Sequence, residues 1–128
     1  MKRVLIVEDQ PDIRKLIRMT LEMEDCTIAE APNGAAGLAL AREFLPDVIL
    51  LDVMMPGELD GLAVCARVRA DPALAATRVI MLTARGATSD RDLGTAAGAD
   101  EYLVKPFSPL QLIRLIEDRP VAIAAPGA

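Results

Sequence analysis

The sequence predicts an α/β fold in which one parallel sheet is covered by helices on both faces. Short runs rich in Val, Ile and Leu recur at "RVLIV" (3–7), "CTIAE" (26–30), "DVILL" (47–51), "RVIML" (78–82) and "EYLV" (101–104). Their spacing of roughly 20 to 30 residues suits strands joined by helical crossovers. The runs are apolar on both faces and alternate with helical stretches, which is the pattern of a parallel sheet buried on both sides by right-handed crossovers.

Each helix has its own signal. Ile13, Leu16, Ile17, Thr20 and Leu21 follow the i, i+3, i+4 spacing of a helix with one buried face. Later stretches, at 34–43, 61–70 around Leu62 and Cys65, and 88–97 around Leu93, are richer in alanine and less periodic. The last, 108–118, has Ser108 as N-cap, Pro109 at the first helical position, and Leu112, Ile113 and Ile116 on one face. Gly98 fits a left-handed helix C-terminus leading into the fifth strand. The order is βαβαβαβαβα.

Composition sets the limits. A chain of 128 residues forms one domain with a single core, and its hydrophobic fraction of 52% excludes a disordered chain. The apolar runs fall short of the ~18 residues that would span a bilayer. The N-terminal "MKRVLIVED" reads as a strand rather than a signal peptide, because Glu8 and Asp9 follow the apolar run at once. Cys26 and Cys65 lie too far apart for a CxxC motif and read as reduced thiols, which implies a cytoplasmic location. A net charge of -5 and three aromatic residues, one Tyr and two Phe, argue against a nucleic-acid surface. Direct nucleic-acid binding and membrane association are therefore not expected.

In a parallel sheet the carboxyl ends of all strands gather along one edge, where ligands bind. That edge would bring together Glu8 and Asp9 after the first strand, Asp52 after the third, Thr83 after the fourth and Lys105 after the fifth. Taken singly, each has an ordinary reading. An acidic pair before a helix can be a solvated loop favoured by the helix dipole, Asp52 and Thr83 can cap turns, and a lysine can lie on the surface. Together they are chemically complementary. Two carboxylates ~5 Å apart repel by roughly 3 kcal/mol at an effective dielectric of ~20, so three of them call for a cation. The chain has no histidine, and its oxygen donors favour Mg²⁺, with Mn²⁺ as a substitute, over zinc or copper. Three carboxylates, a dication and the Lys105 ammonium sum to zero charge, and such a site suits phosphoryl transfer to a carboxylate nucleophile. That explains why Asp52 ends an otherwise apolar strand.

The set "VLIVEDQPD", "DVILLDVMMPGELDG", "VIMLTA" and "GADEYLVKPF" closely resembles the receiver domain of two-component response regulators, from about Lys2 to Asp118. The resemblance implies a flavodoxin-like (βα)5 doubly wound sandwich with a five-stranded sheet of order 2-1-3-4-5, the arrangement of chemotaxis receivers. It makes Asp52 the phosphoacceptor, charged from the phosphohistidine of a sensor histidine kinase or phosphotransfer protein, or from a small phosphodonor. Asp9 and Asp52 would bind Mg²⁺ directly, Glu8 through water, and Met54 through its backbone carbonyl. Lys105 would pair with one phosphoryl oxygen and Thr83 would donate its hydroxyl to another. Thr83 would thereby draw its loop inward and let Tyr102 turn from exposed to buried, although Tyr102 also reads as a half-buried strand aromatic. The Lys105-Pro106 bond would be cis. The switched face would comprise the predicted helix 88–97, the fifth strand and the last helix, and would act on a downstream protein or effector domain. A phosphorylation-dependent homodimer is compatible with it. The chain would catalyse its own phosphorylation and dephosphorylation without being a turnover enzyme.

Two departures from the family pattern stand out. Between Pro56 and Asp60 the chain has "GEL", one residue more than the common Pro-Gly-x-Asp-Gly. Met54 and Arg85 occupy the positions that the resemblance implies tune hydrolysis, and Arg85 could either cover the phosphoryl group or point to solvent. Residues 1–118 are expected to form the receiver and "RPVAIAAPGA" (119–128) a tail or linker stub, belonging either to a stand-alone receiver or to a piece of a longer regulator.

Three other classes compete. An aspartyl-phosphate hydrolase would need a second carboxylate beside the nucleophile, where this chain has "VMM" after Asp52. A flavin mononucleotide module would need backbone amides without carboxylates in the first loop, which here reads "EDQPD". A receiver-like interaction module that works without phosphorylation would have no use for the full set of Asp9, Asp52, Thr83 and Lys105.

Overall fold

The computed structural model describes residues 2–84 and 96–117. Its strands are β1 (Lys2–Val7), β2 (Cys26–Ala31), β3 (Val48–Asp52), β4 (Arg78–Ala84) and β5 (Glu101–Lys105), all parallel, in the order β2-β1-β3-β4-β5. Its helices are α1 (Pro11–Leu21), α2 (Gly34–Phe44), α3 (Gly61–Ala70) and α4 (Pro109–Glu117), with one 3-10 turn at Pro72–Leu74. The predicted helix 88–97 falls mostly on residues 85–95, and the tail 119–128 falls wholly beyond 117, so both lie outside the described residues. Among the described residues no helix is long and apolar enough to cross a membrane.

Alternation along the strands divides the core into two layers. Leu5, Val7, Ile49, Leu51, Val79 and Met81 face α2 and α3, where Leu38, Ala41, Val64 and Val68 close the layer. Val4, Ile6, Val48, Leu50, Ile80 and Leu82 face the other way, onto Ile17 and Leu21 of α1 and Leu112 and Ile116 of α4. The central strand β3 is buried along its whole length, as a strand covered on both faces must be. The outermost strand β2 is not: five of its six residues are only half-buried, because an edge strand has a neighbour on one side alone. The reading of all strands as buried on both faces is corrected for β2 on that ground, and for β5 at the other edge, where four of five residues are half-buried.

The helix ends are set by local chemistry. Asn33 and Asp60 cap α2 and α3 by accepting hydrogen bonds from the amides of Ala36 and Ala63. Before α4 the Ser108 hydroxyl accepts from the Gln111 amide while the Gln111 side chain accepts from the Ser108 amide, a reciprocal capping box. In α1, Ile17, Thr20 and Leu21 are buried, but Leu16 is 47% exposed and lies outside the face assigned to it. The stripe is narrower than its apolar spacing suggested. Gly98 has φ +103°, as a helix terminus turning into β5 requires.

The loop with the extra residue also has a definite place. Leu59 is half-buried against the α2/α3 layer, and a Cβ on Gly34 would come within 2.1 Å of the Leu59 carbonyl oxygen. The loop leaving β3 therefore rests on the first turn of α2.

Candidate functional site

Strand register brings the polar residues to one edge. β1 ends at Val7, opposite Leu51 of β3, so Glu8 and Asp9 emerge beside Asp52, the last residue of its strand. β4 and β5 run further than their apolar runs suggested: Thr83 lies within β4 and Lys105 closes β5, paired across to Ala84. Gly61 lets the chain close over this edge, because a Cβ there would fall 2.1 Å from the Asp52 carbonyl oxygen. Its amide donates to the carbonyl of Val53 at 3.1 Å.

Carboxylate oxygens of Glu8, Asp9 and Asp52 all lie within 4.8 Å of one another. Glu8 is fully buried, Asp52 is 5% exposed and Asp9 is half-buried. The Lys105 ammonium sits between two of them, 2.9 Å from Glu8 Oε1 and 3.3 Å from Asp52 Oδ1. Glu8 Oε2 accepts from the Gln10 amide at 3.2 Å, and Asp52 Oδ1 from the Met54 amide at 3.3 Å. Glu8 Oε1, also buried, makes no hydrogen bond of good geometry, so its approach to Lys105 is one of charge alone. Burial, together with the neighbouring Glu8 and Asp9 carboxyl groups, pushes the Asp52 carboxyl up to about 7 against the opposing pull of Lys105.

Among the described residues, three carboxylates against one ammonium leave the cluster short of positive charge, and one buried oxygen lacks a directional partner. That donor set, all oxygen and compact, fits a hard divalent cation of the Mg²⁺ class. The backbone supplies a further candidate at Met54, whose side chain is largely exposed. Thr83 is buried, and Tyr102 is half-buried against the α2/α3 layer. The Lys105–Pro106 peptide is cis. Arg85 lies outside the described residues.

A cavity of about 710 Å³ opens beside the cluster, lined by Asp9, the start of α2 at Asn33 and Gly34, and the loop Pro56–Leu59. Sequence reasoning missed one contributor to this edge. Arg14 of α1 donates to the backbone carbonyl of Glu8 at 2.8 Å. Its position one turn into the helix after the acidic pair was the available signal.

Residues 4–117 match the response regulator receiver domain family. The chain is 47% identical over 111 residues to the transcriptional regulatory protein ResD of Bacillus subtilis, which covers 87% of this chain and 45% of ResD. It is 42% identical over 113 residues to the DNA-binding dual master transcriptional regulator RpaA of Synechocystis, covering 88% of this chain and 46% of RpaA. The solved structure of the chemotaxis response regulator CheY4 of Vibrio cholerae superposes with a TM-score of 0.84 at 34% identity, covering 91% of this chain and 96% of that one. The chain thus spans about half the length of the curated relatives and nearly all of the chemotaxis protein.

These relatives correct one expectation, the absence of direct nucleic-acid binding. RpaA is named as a DNA-binding regulator. A net charge summed over a stretch equal to half of such a regulator reports on that stretch alone, and it does not limit what the regulators of this kind touch. With its sheet order, its acidic edge and its match over residues 4–117, the chain belongs to the response regulator receiver domain family of two-component systems.

Proposed function

We propose that the chain accepts a phosphoryl group on Asp52 from the phosphohistidine of a histidine kinase or phosphotransfer protein, or from a small acyl phosphate. The observation that carries this reading is Asp52 itself: a buried carboxylate on a strand end, with an ammonium 3.3 Å from one oxygen and two further carboxylates beside it. An ionised Asp52 oxygen attacks phosphorus, the P–N bond to the imidazole breaks, and an acyl phosphate forms. Lys105 takes up charge on the transferring oxygens and holds it near the low-dielectric edge. Glu8, Asp9, Asp52 and the Met54 carbonyl would hold Mg²⁺, which receiver domains typically bind and which neutralises the phosphoryl oxygens when present. Thr83 donates its hydroxyl to the bound phosphoryl group and, through that bond, biases the setting of Tyr102. Residues 1–118 form the signalling unit, with 119–128 as a tail or linker stub.

The output is read from the relatives. Curated proteins that share this domain include DNA-binding transcriptional regulators about twice its length. We therefore assign the phosphorylated face a role in controlling a DNA-binding activity, carried by a further segment or by a partner.

Incubation with Mg²⁺ and acetyl phosphate, followed by intact-mass measurement, tests the reading. One added phosphoryl group that requires both Asp52 and the metal is expected. The Asp52→Asn variant should gain none. If acetyl phosphate, beryllofluoride and a histidine kinase all leave the wild type unchanged, the interaction module that works without phosphorylation becomes the better account.

A further inference from the structure

We infer that Arg14 and Glu30 form a clamp that sets the geometry of the Glu8–Asp9 corner, and with it the affinity of the site for divalent cations. This rests on the proposed receiver chemistry and goes beyond it, since neither residue reaches the acidic cluster with its own side chain.

The geometry is specific. The carbonyl of Glu8 belongs to the peptide group that joins Glu8 to Asp9. Orienting that one plane therefore orients the start of both acidic side chains. The chain leaves β1 at Val7, and the Glu8 amide still donates to Ala31 of β2 at 3.2 Å. The Glu8 carbonyl instead accepts a guanidinium hydrogen bond from Arg14 Nη1 at 2.8 Å. Arg14 is tied in turn through Nε to Glu30 Oε1 at 3.2 Å. Glu30 lies one residue from the end of β2, and its second oxygen is held by Arg18, which also pairs with Glu22 at 3.1 Å. The Arg14 amide donates to the Gln10 carbonyl at 3.0 Å, closing the first turn of α1 beneath the same corner.

Two features suit the pair to positioning rather than to general stability. Arg14 and Glu30 are only partly exposed, with 21% and 29% of their side chains accessible, so their contact is less screened than a surface pair. The guanidinium is planar and donates in fixed directions, which lets one side chain hold a carbonyl and a carboxylate at once. Lysine can satisfy either partner but cannot span both in that geometry. The N-cap Gln10 makes no side-chain capping bond, and the α1 N-terminus meets the corner through the Gln10 amide, which holds the Glu8 carboxylate at 3.2 Å but not the peptide plane that Arg14 grips.

Without the clamp, three mutually repelling carboxylates would push the corner outward, and part of the cation's binding energy would go to drawing it back. The expected consequence is weaker divalent binding with little change in fold stability when no cation is present. Arg14 and Glu30 are positioning residues for the site.

Mn²⁺ binding followed by electron paramagnetic resonance, with Mg²⁺ competition, reads the effect without phosphorylation. For Arg14→Gln the dissociation constant should rise about tenfold. Glu30→Gln should give a smaller rise, and the double variant should fall short of the product of the two, because both act through one contact. Arg14→Lys should recover only part of the loss. Circular dichroism melting in chelator should move little for Glu30→Gln, which keeps the test open if Arg14→Gln folds poorly. Wild-type affinity in both Glu30→Gln and Arg14→Lys would overturn the clamp. Loss of melting temperature without loss of affinity would also overturn it, by making the pair merely structural. A wild type that binds no Mn²⁺ would defeat the receiver reading as well, a result distinct from either.

Discussion

The two edges of this sheet both carry charged groups and use them in opposite ways. At the amino ends of the strands, Arg3 and Arg69 each meet partners of good geometry. Arg3 places its guanidinium on the Phe44 carbonyl and over the Phe44 ring, 4.2 Å from its centroid, while Asp47 accepts from the Arg3 amide. Arg69 donates to the carbonyls of Gly98 and Thr77, at 2.7 and 2.8 Å, and pairs with Asp100, which also accepts from the Val79 amide. At the carboxyl ends, among the described residues, three carboxylates cluster around one ammonium that pairs with two of them, and a buried Glu8 oxygen has no directional hydrogen bond. The first edge is built for stability; the second gives up stability to keep charge available.

Breaking the amino-end edge should cost most. Arg69 connects α3 to the start of β4 and to the residues just before β5, so its removal strands two carbonyls and the Asp100 carboxylate together. Arg69→Met should lower unfolding free energy by about 3 kcal/mol, measured by urea denaturation. Divalent affinity should be unchanged, because the arginine lies at the opposite edge from the acidic cluster. A loss of metal binding in this variant would mean that the two edges are coupled through the sheet.

Changing the carboxyl-end edge should act in the other direction. The Asp52 carboxyl ordinarily titrates near 3.8 and is pushed up to about 7 in the folded chain, principally by burial. The folded state therefore retains a proton that the unfolded state has lost in this interval. Stability of the metal-free protein should then fall as pH rises from about 4 to about 7 and level off above that. Asp52→Asn removes the charge and should stabilise the metal-free protein by about 2 kcal/mol at neutral pH, with the gain vanishing below pH ~4. Urea midpoints across that pH range, in chelator, give the comparison. An unchanged midpoint at pH 7 would show that Lys105 alone already balances the cluster.

How much of this was legible in the sequence differs between the edges. The strand order follows from the family resemblance, whereas the convergence of Glu8, Asp9, Asp52 and Lys105 follows from apolar runs and from the rule that parallel strands present their carboxyl ends together. A local pattern is enough for that. The Arg69 latch was not legible, since its partners lie 8 to 31 positions away and nothing near Arg69 marks it. Leu45 is another case: it ends α2 with φ +50°, a conformation usually left to glycine or asparagine, and its sequence neighbours do not announce it. Leu16 shows the same limit within a helix, where spacing marks which residues share a face but not how wide the buried part of that face is.

The smallest effect separates position from residue type. Asp60 stands at the same edge as Asp52 and carries the same side chain, yet it is exposed and caps α3 by accepting from the Ala63 amide at 2.9 Å. It also faces the positive end of the helix dipole, so its charge is favoured where that of Asp52 is opposed. Asp60→Ala should therefore destabilise the metal-free protein by about 1 kcal/mol at neutral pH. With Asp52→Asn expected to stabilise it, two aspartates a few residues apart should give opposite signs in one urea experiment. Equal signs would mean that burial beside Glu8 is not what distinguishes them, and that the carboxyl-end edge is less strained than its geometry implies.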